Sequence, residues 1–201
     1  DFNDDYLTYL GNSIAEINVE YHPQYDFTKE SYEHFLDQRY QEEQDSLNGA
    51  TEEERHKEIK RKYYAERAFN ILREMNDGFE NYDRTLGKVG GAELEPMDLY
   101  RNKTIFAVKI GAASSKLCYA VDQSLSVLRA CRSRAIKIDV PFDTVALWFV
   151  LDKATHIEDQ QGKPDLNRLK MLMLKNRLDQ WKKEVRLLGL KPLIYINYTQ
   201  R

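Results

Sequence analysis

Seven apolar residues in unbroken succession, residues 145–151 (Val-Ala-Leu-Trp-Phe-Val-Leu), restrict the architecture more than any other stretch of the chain. The run is too short to cross a bilayer, which takes about 20 residues as a helix. Its length is that of a β-strand, and a strand without polar alternation is one buried on both faces. A second strand of this kind, residues 193–198, closes the sequence. Such strands need helices over both faces of their sheet. The expected class is therefore α/β, a mixed sheet flanked by helices.

The rest of the chain supplies those helices. Residues 1–45 read as helical and acidic, with Tyr6, Leu7, Leu10, Ile14 and Ile17 on one face and a break at His22-Pro23. Asn48-Gly49 marks a turn. Thr51 followed by Glu54 is then a capping-box signature for a long helix carrying Ile59, Tyr63, Phe69, Leu72 and Met75 and stopped at Asp77-Gly78. From Gly90 the pattern shortens, and segments 93–100 and 104–110 flank Arg101-Asn102-Lys103 as a hairpin. Ser114 or Ser115 caps a helix that buries Leu117, Ala120, Val121, Leu125 and Leu128. Asp165 caps a last helix with Leu166, Leu169, Met173, Leu178, Trp181 and Val185 on its apolar side. The expected division is an acidic helical extension over residues 1–50 and an α/β domain over 51–201.

Charge is distributed unevenly along this order. Residues 1–50 hold 12 acids and 2 bases, whereas residues 99–201 hold 9 acids and 19 bases. A basic half suggests a polyanionic partner such as nucleic acid; the plain alternative is lysines and arginines solvating helix faces. Cys118 and Cys131, the only cysteines, lie thirteen positions apart in one helix-patterned segment, roughly 20 Å along its axis. They cannot pair there, and two free thiols without a CxxC fit a reducing, cytoplasmic compartment. No basic region followed by an apolar run directs export or membrane insertion. The sequence opens at Asp1 without methionine, which reads as a piece of a longer or processed protein. Other domains of that chain, or a second copy, are expected partners.

The chemistry concentrates in Glu93-Leu94-Glu95-Pro96-Met97-Asp98, then Phe106-Ala107-Val108-Lys109, then Ser114-Ser115, then Gln123. Phosphodiester hydrolysis needs a divalent cation to polarise the phosphate and acidify a water, plus a positive group to orient that water. Carboxylates on one strand and a lysine on its hairpin partner can converge on such a point, because facing residues on paired strands lie close together. Oxygen ligands of this kind suit Mg²⁺ or Mn²⁺.

An acid near the end of one strand, a turn, a hydrophobic strand ending in x-V-K and a helix bearing a glutamine together resemble the PD-(D/E)xK, restriction-endonuclease-like superfamily. Further pieces resemble an uncharacterised, sporadically distributed bacterial family of longer proteins associated with mobile or defence loci. These are Asp1-Phe2, Glu66-Arg67-Ala68-Phe69-Asn70, Glu95-Pro96-Met97-Asp98-Leu99, Val108-Lys109, Ser114-Ser115-Lys116-Leu117 and Asp122-Gln123-Ser124. The resemblance implies a restriction-endonuclease-like core and a metal-dependent nuclease. It casts Asp98 as the metal-binding acid, Lys109 as the water-positioning lysine, Gln123 as the helix glutamine and Glu66 as the acid of the first helix. The Val108 carbonyl is a further metal ligand in this reading. The pattern is broken at Ala107, where a second acid should stand. Glu95 is the replacement, with Glu93 a poorer one.

Each of these residues also has a plainer reading. Asp98 with Lys109 makes a cross-strand ion pair, Gln123 a polar residue on a solvated helix face, Glu66 with Asn70 a surface pair. Ser114 and Ser115 are caps rather than nucleophiles, since no base is placed beside them. Ser115 and Lys116 at a helix start, with Arg129, Arg132 and Arg134 at its end, are the candidate nucleic-acid contacts; the arginines serve a helix dipole equally well. The histidines show no metal-ligand spacing. Two readings follow, a Mg²⁺-dependent nuclease acting on DNA, and a nuclease fold without activity that binds nucleic acid or protein.

Overall fold

The computed structural model describes residues 3–83 and 95–201. Helix α1 (Asp4–Ala15) leads into strand β1 (Asn18–Tyr21), and α2 (Lys29–Glu43), α3 (Glu52–Lys62) and α4 (Ala65–Asp77) follow. Strands β2 (Glu80–Asn81), β3 (Leu99–Arg101) and β4 (Thr104–Gly111) come next. Then α5 (Ser114–Arg132), β5 (Thr144–Leu151), α6 (Leu172–Leu187) and β6 (Lys191–Tyr198) complete the chain. One mixed sheet results, in the order β1-β6-β5-β4-β3-β2. Strands β1, β6, β5 and β4 run parallel, and β3 and β2 are antiparallel additions on the β4 side.

The apolar run 145–151 and the largely apolar stretch 193–198 become β5 and β6, in the middle of this sheet and covered on both sides. On one face α1, α5 and α6 pack over Leu147, Phe149 and Ile194 with Leu10, Leu117, Val121 and Trp181. On the other, α2 to α4 cover an aromatic core around Trp148. Its indole meets the rings of Tyr25, Phe69, Phe79, Phe106 and Tyr195 at centroid distances of 5.0–5.4 Å. Tilted and edge-on contacts at that range add to the burial of apolar area. Among the described residues no helix is long and apolar enough to cross a membrane.

Several expectations are corrected. Residues 18–21 are not helical but form β1, which pairs in parallel with β6. Leu10, Ile14, Ile17 and Val19 belong to the sheet's own core, while Tyr6 and Leu7 are exposed. Asp26 then ties this region to the sheet centre, accepting from the Tyr198 N–H at 3.1 Å and from Asn197 Nδ2 at 2.9 Å. Asn197 in turn accepts from Trp148 Nε1 at 3.0 Å. The stretch from Leu10 to Asp26 thus contributes to the sheet and its core.

The helix expected from Thr51 to Asp77 is two helices. Thr51 and Glu54 form the capping box, and Gly78 ends the second helix in the left-handed region at φ 72°. Between them the chain breaks at Tyr63-Tyr64. Tyr63 is buried edge-on against Phe35, and its carbonyl accepts from the Tyr32 hydroxyl at 2.8 Å. The break re-aims α4 so that its first turn meets the end of β4. Ser114 and Ser115 do not cap α5, whose N-cap is Ala113. Asp165 caps only a short turn at residues 166–169; α6 starts at Leu172, which buries Leu174 and leaves Met173 exposed.

Candidate metal centre

Strand β3 pairs with β4 as far as Leu99↔Phe106, which leaves Asp98 one position beyond the paired residues. The hairpin is as expected at this end, with Asn102 and Lys103 at positive φ forming its turn. Residues 95–98, however, lie outside the strand, and residues 93 and 94, including Glu93, fall outside the described residues. Because β3 is short, the outer edge of β4 loses its backbone partner after Phe106, which still accepts from the Asp98 N–H at 2.8 Å. Two side chains take over. Asp98 Oδ2 accepts from the Val108 N–H at 2.7 Å, and Glu66 Oε1, from the first turn of α4, accepts from the Ile110 N–H at 3.1 Å. In an extended strand a residue's N–H and C=O point the same way. The Val108 carbonyl is thus turned toward the same acid-lined edge.

A third carboxylate, not singled out from the sequence, joins them. The Tyr82 N–H donates to the Asp98 carbonyl at 2.8 Å, and Asn81 Oδ1 accepts from the Asp83 N–H at 2.9 Å, a turn that delivers Asp83 beside Asp98. Asp83, Glu95 and Asp98 each offer a carboxylate oxygen, and the three lie within 4.8 Å of one another. Arg67 was missed as a site residue too. Its Nε stands 3.6 Å from Asp83 Oδ2. No regular spacing links residues 67 and 83 to the hairpin; the two-residue strand β2 brings Asp83 in.

Lys109 projects from the face of β4 that carries Ala107, two residues before it. Its ammonium is 3.3 Å from Glu66 Oε1 and 5.4 Å from the Tyr119 ring centre. The cross-strand pair with Asp98 is therefore replaced by a pair with Glu66. Gln123, half-buried on α5, lines a narrow cavity of about 20 Å³ together with Glu95, Asp98 and Ala107. That is room for a water-sized body.

Other candidates are not brought together. Ser115 and Lys116 are exposed in the first turn of α5, with the Lys116 stem against Gly111, where a Cβ would come 2.9 Å from its Cδ. Arg129, Arg132 and Arg134 are at the far end of the helix, roughly 25 Å away at a rise of about 1.5 Å per residue. Arg129 is engaged by Glu184 at 2.7 and 3.2 Å. The two groups cannot contact one phosphate.

Two of these carboxylates, Asp98 and Glu95, hold their protons more tightly than usual. Burial pushes Asp98 up to about 7, against the Val108 hydrogen bond, and the charges of Glu95, Asp83 and Glu66 add to the rise. Glu95 is also raised, chiefly by burial and then by Asp83, with Arg67 opposing. Between about pH 4 and pH 7 the native state keeps a proton on Asp98 that the unfolded chain has lost, so this group costs stability increasingly as pH rises, and fully above 7. Asp98→Asn keeps an acceptor for Val108 and removes the charge. Without metal it is expected to melt a few degrees above wild type at pH 8 and alike at pH 4, a difference of about 1–2 kcal/mol once solvent screening at this half-buried group is discounted. Parallel melting profiles from pH 4 to 8 would contradict this.

Compared with known proteins, the chain matches no family model, no curated protein and no solved structure.

Proposed function

We propose that the chain is a divalent-metal-dependent nuclease acting on DNA, with a restriction-endonuclease-like core formed by α4, β2, β3, β4, α5 and β5. The carrying observation is the convergence of Asp83, Glu95 and Asp98 at the open edge of β4, where Glu66 holds Lys109. The donor set fits Mg²⁺ or Mn²⁺: three carboxylate oxygens close enough to share one ion, with the Val108 carbonyl turned to the same edge. A cation held there would acidify a water and polarise a phosphate oxygen.

The chain's own groups supply the rest. Asp98 is fixed by Val108 and Glu95 replaces the acid missing at Ala107. Asp83 completes the set. Lys109, held at Glu66, is placed to orient the attacking water or steady charge on the phosphate. Gln123 borders the cavity between these groups and can hold a water there. The segments quoted above for the bacterial family suggest a defence or mobile-element setting, and the element order from α4 to β5 supports the superfamily reading.

Incubation with plasmid, linear and single-stranded DNA in Mg²⁺, in Mn²⁺ and in EDTA tests the proposal. Cleavage is expected with either metal and none with EDTA. Cleavage that persists in EDTA, or none with any substrate, would refute it. One observation favours a second reading: Ala107 leaves the usual acid position empty. In that case the chain binds nucleic acid without cutting it, and its affinity falls steeply with salt.

A further inference from the structure

Four carboxylates and two cations make up the described centre, Glu66, Asp83, Glu95 and Asp98 against Arg67 and Lys109. The formal surplus is two negative charges. One divalent ion balances it; without Arg67 the surplus would be three, more than one divalent ion neutralises. Lys109 is taken by Glu66, so the cation facing the triad is Arg67.

Arg67 is an unusual neighbour for a metal. Its side chain is only 9% exposed, its guanidinium lies 4.8 Å from the Tyr64 ring centre, and its Nη1 donates to the Lys62 carbonyl at 2.9 Å. Its Nε, 3.6 Å from Asp83 Oδ2, is buried and makes no hydrogen bond. A buried donor left unpaired costs stability, and a guanidinium cannot shed its charge as a lysine can. A fixed positive charge is therefore aimed at the carboxylates. In two-metal sites the ions stand about 3.5–4 Å apart as a clamp on the attacking and leaving oxygens. The guanidinium already stands against Asp83, a carboxylate that a second ion here would need.

We infer that Arg67 is a specificity-determining residue of this centre: its buried guanidinium stands in for a second cation and restricts the site to one divalent ion. The inference rests on the metal-dependent reading above and adds the stoichiometry to it. Any second positive charge at the phosphate is then supplied by the chain itself.

Counting bound Mn²⁺ on the whole chain, by titration calorimetry and by the spin resonance of the free ion, tests this without reference to cleavage. Wild type and Arg67→Lys are expected to bind one ion. Arg67→Gln and Arg67→Met, the latter keeping an apolar stem to pack on Tyr64, are expected to bind two. Both neutral variants should melt lower than wild type without metal and recover in excess Mn²⁺. Two ions in wild type, one ion in a folded neutral variant, or neutral variants that stay unfolded in excess Mn²⁺ would each overturn the inference. A wild type that binds no ion would instead overturn the metal-dependent reading on which it rests.

Discussion

Asp98→Asn and Lys109→Met are each expected to lower metal-dependent cleavage on the order of 10³-fold, while having opposite effects on the metal. Removing one preorganised charge from a site of this kind costs about 10²–10³ in rate, and loss of a metal ligand is felt at least as strongly. The two variants differ in what remains. Asp98→Asn takes away a ligand, so Mn²⁺ affinity should fall at least tenfold. Lys109→Met takes away a positive charge and frees Glu66, now held at 3.3 Å, so Mn²⁺ affinity should be unchanged or higher. Both variants should melt cooperatively, because neither side chain belongs to the apolar core. A Mn²⁺ titration beside a plasmid-cleavage assay reads both effects. Cleavage that survives both substitutions would remove the active-site assignment and leave a binding module. Loss of metal affinity in Lys109→Met would show that the lysine is a structural support of the edge rather than a group acting beside the ion.

The sheet's centre was legible because a strand buried on both faces writes its environment into its own composition. Residues 145–151 are apolar throughout, residues 193–198 are so except for Asn197, and they became β5 and β6. The buried stripe of α5 was legible for the same reason, through the spacing of Leu117, Val121, Leu125 and Leu128. Strand β1 was not. Its four residues pair with a strand more than 170 positions away, and Leu10, Ile14 and Ile17 continue a helical spacing almost to its start. The break at Tyr63 was hidden similarly, since the Tyr32 hydroxyl that satisfies the freed carbonyl comes from another helix.

The site divides along the same line. That Asp98 and Glu95 lie together could be read from the three positions that separate them just ahead of the hairpin. Asp83 and Arg67 could not. Their approach depends on a two-residue strand, on the angle of α4 after its break, and on charge balance among groups far apart in sequence. The sequence also suggested a partner for Lys109 in Asp98, which pairing alone permits. The short β3 changed that by opening the β4 edge and letting Glu66 reach the backbone at Ile110.

Whether a ligand has moved from position 107 to Glu95 can be decided by moving it back. Ala107 is half-buried and borders the same cavity as Glu95, Asp98 and Gln123. Ala107→Glu alone sets a further carboxylate beside Asp83, Glu95 and Asp98, and of these Glu95 and Asp98 are already raised in proton affinity by burial and by neighbouring charge. Its cleavage is expected to fall by about tenfold, with a lower melting temperature at pH 8 in the absence of metal. Glu95→Gln alone should lose cleavage by about 10²-fold. The double variant Ala107→Glu with Glu95→Gln restores the number of acids and puts the second one back on β4, two residues before Lys109. It is expected to cut at least tenfold faster than Glu95→Gln. Two substitutions that are each harmful but partly cancel together signify one shared function, because effects at independent sites add. Cleavage rates for the four proteins, with Mn²⁺ affinity measured alongside, complete the cycle. If Ala107→Glu by itself raises activity from nothing and the double variant is no better than Ala107→Glu, position 107 is a true vacancy. Glu95 would then be no ligand, and the natural chain would be a nuclease fold that binds without cutting.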